Sequence, residues 1–142
     1  MKLNVCVAAL MALSTPAIAQ DTGLVPNFGE ATLTAGFTPD PYTVEVVAGG
    51  DIDASQTLGA SGCVGMISNA PDFRLTYEAG GLPLNIFAAA PGDVALIVNT
   101  PDGSWACDDD SGGNLNPALS FSSPLSGNYE IWVSAVGDSS AG

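Results

Sequence analysis

The chain has 142 residues, which suffices for one domain but not for two. It carries 15 acidic side chains, two basic ones and no His, so its formal net charge is −13 at pH 7. This charge repels nucleic acid and anionic lipid, and the lack of His excludes His-based zinc sites and Ser-His-Asp or Cys-His catalysis. The hydrophobic content of 46% is enough for a packed core, whereas 17 Gly and 10 Pro indicate many turns rather than a helical bundle.

The first 19 residues have the pattern of an export signal. Lys2 supplies a positive start, residues 3–13 form an apolar run, and the Ala-Ile-Ala sequence at residues 17–19 fits a cleavage site. The run is too short to remain as a membrane-spanning helix. We therefore predict a signal peptide over residues 1–19 and a bacterial protein of the periplasm or extracellular space that begins near Gln20. The alternative is a buried N-terminal helix.

Two cysteines, Cys63 and Cys107, follow the predicted signal peptide. An even count in an exported chain favours one disulfide, and two buried free thiols are the alternative. Beyond residue 19, Arg74 is the single basic side chain for all 15 carboxylates. Most carboxylates are therefore solvated, hydrogen-bonded to backbone N–H groups, or bound to cations.

From Pro39 onward the chain alternates between strand and turn patterns. Apolar and polar residues alternate, as in half-buried strands, at residues 42–47, 73–78 and 129–135 and around Leu119 and Phe121. Residues 82–88 follow the second of these strands after a Gly-Gly turn, which predicts that the two form a hairpin. Residues 94–98 are uniformly apolar, as in a strand buried on both faces. We predict an all-β fold, a jelly-roll-like antiparallel β-sandwich over residues 39–142, preceded by a flexible lead-in over residues 20–38.

The candidate functional site is the acidic loop, the sequence Asp-Asp-Asp-Ser-Gly-Gly-Asn that begins at Asp108. Adjacent carboxylates repel by about 1 kcal/mol per pair in a water-like dielectric, and hard oxygen ligands on a Gly-bent loop suit Ca²⁺. Asp93, at the start of the strand before the loop, is placed to approach it. We predict a calcium site formed by Asp93, Asp108, Asp109, Asp110 and Asn114. Because alternate side chains share a face of a strand, Asp108 and Asp110 are the expected direct ligands. The alternative is a solvated acidic turn.

The order of motifs over about residues 73–133 resembles that of the bacterial pre-peptidase C-terminal (PPC) domain. The shared features are the apolar strand opened by Asp93, the Pro-Asp-Gly turn at residues 101–103, the acidic loop, and Gly-Asn-Tyr-Glu-Ile-Trp-Val at residues 127–133. The resemblance implies a β-sandwich, export, calcium bound by the acidic loop, and an accessory module of the kind that accompanies secreted proteases. Such domains usually have a further strand near their end. Here either residues 20–50 supply it or the sheet has an open edge.

Candidate catalytic groups are incomplete. Ser61 and Cys63 have no base to activate them, and three consecutive Asp residues cannot flank a glycosidic bond from opposite sides. We therefore expect no enzyme but a binding module that recognises a polysaccharide or an envelope protein. Its aromatic residues Trp105, Tyr129 and Trp132 either form a sugar platform or pack the second face of the sheet. The alternative functions are a structural subunit that assembles by strand addition and a peptidase-associated hydrolase.

Overall fold

The computed structural model describes residues 20–137, so the predicted signal peptide lies outside the described residues. Within this range the elements follow in the order β1 (Glu30–Thr34), β2 (Ile52–Asp53), α1 (Ala54–Thr57), β3 (Met66–Ile67), β4 (Phe73–Glu78), β5 (Leu84–Phe87), β6 (Val94–Asn99), β7 (Trp105–Asp108), β8 (Ala118–Phe121) and β9 (Gly127–Ala135). None of the helices in this part of the chain is long and apolar enough to cross a membrane.

The main sheet has seven strands with β9 at its centre. β4 lies antiparallel along one side of β9, and β6 lies antiparallel along the other. β7 extends the sheet beyond β6, and β1 extends it beyond β4. β3 pairs with the end of β9 through Met66 and Ala135, and β2 pairs with β3. The strands predicted at residues 73–78, 94–98 and 129–135 are thus confirmed as β4, β6 and β9.

A second sheet of β5 and β8 covers one face of the main sheet. The core between the two sheets consists of buried residues from β4, β5, β6 and β9, namely Leu75, Tyr77, Leu84, Val94, Leu96, Val98, Tyr129, Ile131 and Val133. The opposite face is covered by α1 and its neighbours, with Ala54, Ile67, Ile97 and Trp132 buried there. Every residue from Val94 to Val98 is buried because both faces of β6 are covered. The all-β, two-layer fold class is confirmed.

The predicted disulfide is present between Cys63 and Cys107, which are 44 residues apart. It links the loop after α1 to β7 and so fastens the cover of the second face to the edge of the main sheet. The alternative of two free thiols is wrong.

The predicted hairpin between β4 and residues 82–88 is wrong. β5 pairs with β8 in the second sheet, with Leu84 opposite Phe121 and Ile86 opposite Leu119. Both edges of β4 are already occupied, by β1 on one side and β9 on the other. The chain after the Gly-Gly turn therefore crosses to the other layer, where Leu84 is buried against the main sheet.

The N-terminal part also differs from the expectation. Residues 30–34 of the predicted lead-in form β1, which runs parallel to β4 with Glu30 opposite Arg74. Residues 20–50 thus supply an extra strand, and the main sheet is mixed rather than purely antiparallel.

Residues 42–47 are predicted to form a strand, but the structure does not assign them to one. Their side chains still alternate, with Val44 and Val46 half-buried and Glu45 and Val47 exposed.

The aromatic residues pack the interior rather than forming a sugar platform. Trp132 is fully buried and Tyr129 is 1% exposed. The ring centroid of Trp105 lies 5.5 Å from that of Trp132 on the second face of the main sheet. Packing on the second face is therefore confirmed for Trp105 and Trp132, whereas Tyr129 packs in the core between the two sheets. The sugar platform is wrong because the rings of Trp132 and Tyr129 are inaccessible.

Candidate metal centre

The antiparallel pairing of β6 and β7 builds the acidic site. Leu96 lies opposite Asp108, so the end of β7 lies beside the start of β6. Asp93 directly precedes β6, and Asp109 and Asp110 directly follow β7. One carboxylate oxygen from each of these three residues lies within 4.8 Å of the other two. The tertiary structure thus brings Asp93 to the acidic loop, as the sequence predicted.

Asp108 holds the acidic loop closed through its carboxylate. Its Oδ2 accepts hydrogen bonds from the N–H groups of Ala118 and Ser111 at 2.8 Å and 3.0 Å, and its Oδ1 accepts one from the Ser111 hydroxyl at 2.5 Å. Burial tends to raise the pKa of Asp108, but the hydrogen bonds from Ser111 and Ala118 outweigh it and hold the pKa below its usual value. Both oxygens of this carboxylate therefore serve the loop itself.

The rest of the loop is a tight turn that depends on glycine. The Gly112 N–H donates to the Asn116 carbonyl at 2.9 Å, and a Cβ atom on Gly112 would lie only 2.9 Å from that same oxygen. Asn114 and Leu115 follow in the left-handed region with φ of 55° and 60°. Asn114 is exposed at the tip, whereas the Asn116 Oδ1 accepts a hydrogen bond from the Ala90 N–H at 3.1 Å. The loop is thereby tied to the segment that leads to Asp93.

Two oxygens of the acidic cluster lack a hydrogen-bond donor. Oδ1 of Asp93 and Oδ1 of Asp109 are both buried and have no partner among the described residues. Burial, followed by the charges of Asp110, Asp93 and Asp108, raises the pKa of Asp109 above its usual value. Buried carboxylate oxygens are normally bonded to donors or to a metal ion. The metal ligands that this cluster offers are negatively charged carboxylate oxygens, which are the ligands that Ca²⁺ prefers.

The single basic residue of the described chain is engaged elsewhere. The Arg74 Nε donates to Glu130 Oε1 at 2.6 Å, and its Nη1 lies 3.4 Å from Glu30 Oε2. Its Nη2 donates to the carbonyls of Thr22 and Leu24 at 2.9 Å and 3.0 Å. No basic side chain within residues 20–137 is thus left to neutralise the acidic cluster.

The structure therefore divides the five predicted ligands into two groups. Asp93, Asp109 and Asp110 come together, while Asp108 serves as the hydrogen-bonded closure of the loop and Asn114 lies at its tip. This differs from the expected direct pair of Asp108 and Asp110. β7 ends at Asp108, so the alternation of side chains that this expectation assumed does not continue into the turn. The overlooked signal was the Ser three residues after Asp108, a spacing at which side chains cap turns.

Comparison of the chain with protein-family models, with curated proteins and with solved structures found no match. The resemblance to the PPC domain consequently rests on the sequence motifs alone.

Proposed function

We propose that the protein is an exported, non-catalytic binding module for an extracellular polysaccharide or an envelope protein, and that Ca²⁺ stabilises its acidic loop. The observation that carries the calcium proposal is the pair of buried, donorless oxygens on Asp93 and Asp109. A cation between them also offsets the repulsion among three carboxylates for which the described chain has no basic partner.

The ion would connect the start of β6 to the turn after β7, which no disulfide joins. Asp93 lies at the start of β6, and Asp109 and Asp110 lie in the turn after β7. Backbone carbonyls and water would complete the six to eight oxygens that Ca²⁺ takes. The role supported is structural, because the ion holds the acidic loop at a defined position beside the main sheet.

Two features support export and a non-catalytic role. The disulfide between Cys63 and Cys107 is of the kind that persists in oxidising compartments. The same bond engages the sulfur of Cys63, which the sequence offered as a nucleophile. Resemblance to the PPC domain adds the expectation of an accessory module that binds polymers or envelope proteins.

The calcium proposal is tested by thermal unfolding of the processed protein in Ca²⁺ and in EGTA. At a hundredfold excess over Kd, binding to the native state alone adds about 2.7 kcal/mol. For a domain of this size we expect Tm to rise by roughly 5–10 °C. The double variant Asp93→Asn with Asp109→Asn should lose this rise. Asp51→Asn, which removes a charge from an exposed bend, should keep it. Superimposable wild-type curves with and without calcium would refute the metal site.

A further inference from the structure

A cavity of about 750 Å³ opens between the two layers of the fold. Its floor is the apolar inner face of the main sheet, including Leu75, Leu96 and Val133. One wall is β5, and the other is the extended segment, defined as residues 41–48. We call the space between these two walls the slot. The slot and Trp132 lie on opposite faces of the main sheet. No residue of the acidic loop lines the slot.

The wall formed by β5 presents an unpaired strand edge. The Ala88 N–H donates to the Pro117 carbonyl at 3.2 Å, which continues the ladder of β5 with β8. Hydrogen-bonded pairs alternate along an antiparallel ladder, so Ile86 and Leu84 also direct their backbone groups toward β8. The backbone N–H and C=O groups of Asn85 and Phe87 therefore point the other way. β5 has no strand partner on that side among the described residues.

The wall formed by the extended segment is unpaired as well. Its inward side chains Val44, Val46 and Ala48 are half-buried, as in a strand. No backbone hydrogen bond joins residues 41–48 to any other residue between 20 and 137. Only the next residue is anchored, since the Gly49 N–H donates to the Val133 carbonyl at 3.0 Å. The slot thus has an apolar floor and two walls of extended backbone whose polar groups lack protein partners.

These walls favour a peptide over a small apolar molecule. A hydrocarbon would fill the cavity but would leave both sets of backbone groups bonded to water alone. An added strand would give them partners, and its alternate side chains would reach the apolar floor. The rim is apolar too, with Phe87 59% exposed and Leu82 53% exposed.

The charges of the slot select among peptides. Asp40 and Glu45 line it, and no basic side chain does. A second copy of this chain would bring more negative charge, because Arg74 is the one basic residue beyond residue 19 and is already paired. Charge complementarity thus favours a basic partner.

We propose that the slot accepts an extended peptide of a partner protein, with apolar residues at alternate positions and Lys or Arg between them. The peptide adds a strand beside β5 and enlarges the second sheet. This names the partner of the binding module proposed above, and it therefore rests on that function.

The first test measures binding of a synthetic probe to the processed protein in calcium. The probe is an eight-residue peptide in which Val alternates with Lys, capped at both ends. We expect binding that weakens about tenfold or more when alternate backbone amides of the peptide are N-methylated, because strand pairing is then blocked. Replacement of Lys by Glu in the peptide should abolish binding, and added salt should weaken the binding of the Lys peptide.

The second test uses matched variants of the slot. Phe87→Pro removes an outward N–H while leaving the ladder with β8 intact, so it should weaken peptide binding about tenfold or more. Phe87→Thr retains that N–H and should weaken binding less than Phe87→Pro. Glu45→Gln should weaken binding, whereas Glu78→Gln, an exposed carboxylate that does not line the slot, should not. Hydrogen exchange provides a test on the wild-type protein itself. The bound peptide should slow exchange at the amides of Asn85 and Phe87.

Three results would overturn the proposal. The first is absence of peptide binding, or exchange protection confined to other strands. The second is binding of a neutral ligand such as decanol without binding of the peptide, which would make the cavity a site for small apolar molecules. The third is concentration-dependent dimerisation that Phe87→Pro abolishes, which would make a second copy the occupant. A calcium-dependent rise in Tm together with binding of another polymer or envelope protein would leave the broader function standing in all three cases.

Discussion

Asp72 is a buried carboxylate at a junction of three segments. Its Oδ2 accepts a hydrogen bond from the Val133 N–H at 2.8 Å, its own N–H donates to Ile131, and its carbonyl accepts from Phe28. Burial raises the pKa of Asp72 to about 6, although hydrogen bonds from Val133, Asn27 and Ser68 act in the opposite direction. The ionised carboxylate is thus a net cost to the folded state at neutral pH.

We expect Asp72→Asn to change how stability depends on pH. The folded protein keeps a proton on Asp72 between about pH 4 and 6, where the unfolded chain has released it. The free energy of unfolding of the wild type should therefore fall as pH rises through this window, by about 3 kcal/mol from this group. Asn retains an acceptor for Val133 without the charge. The difference between variant and wild type in urea unfolding should grow from pH 4 to pH 6, and a constant difference would contradict the assignment.

Arg74 and Glu130 form a largely buried ion pair across β4 and β9. Their side chains are 17% and 6% exposed, and the Nε–Oε1 distance is 2.6 Å. Arg74→Gln should lower the free energy of unfolding by about 3–5 kcal/mol, because it leaves the Glu130 charge buried and unpaired. The double variant with Glu130→Gln removes that charge and should recover part of the loss. Equal losses in the single and double variants, measured by urea unfolding, would show that packing rather than charge is responsible.

At the scale of the element, the acidic loop contains two kinds of carboxylate that substitution should separate. Asp108→Ala removes the acceptor for the Ala118 and Ser111 N–H groups and should cost about 1–3 kcal/mol even in EGTA. Asp109→Asn in EGTA should raise stability, because burial and the neighbouring charges disfavour the Asp109 carboxylate. Unfolding of both variants without metal tests this. Equal destabilisation by the two would contradict the division of roles.

At the scale of the whole molecule, the disulfide fastens the cover of the second face to the edge of the main sheet. It closes a loop with a sequence separation of 44 residues, which in the chain-entropy model stabilises the native state by about 4 kcal/mol. Cys63→Ser with Cys107→Ser should lower the free energy of unfolding by about this amount. The loss should be visible first as increased hydrogen exchange around α1, which packs beside the bond. An unchanged midpoint in urea would show that packing alone secures this face.

Several features followed from local patterns in the sequence. The alternation in β4 and β9 and the apolar run of β6 predicted these strands, because burial of one or both faces dictates the period of apolar residues. The cysteine count predicted the disulfide, and the acidic loop and Asp93 predicted where carboxylates converge. The strand predictions depend on residues that are close together in the chain. The disulfide prediction depends only on the number of cysteines.

Other features were decided by the tertiary structure alone. The partner of β5 depended on whether the edges of β4 were free, and β1, a strand without a clear pattern, occupied one of them. Asp108 and Asp109 differ in role because a donor ten residues away, the Ala118 N–H, bonds to the former. Trp132 is enclosed because α1 and Trp105 cover its face. Local sequence determines which residues favour burial or a turn, whereas the identity of the neighbour is set by contacts between segments distant in the chain.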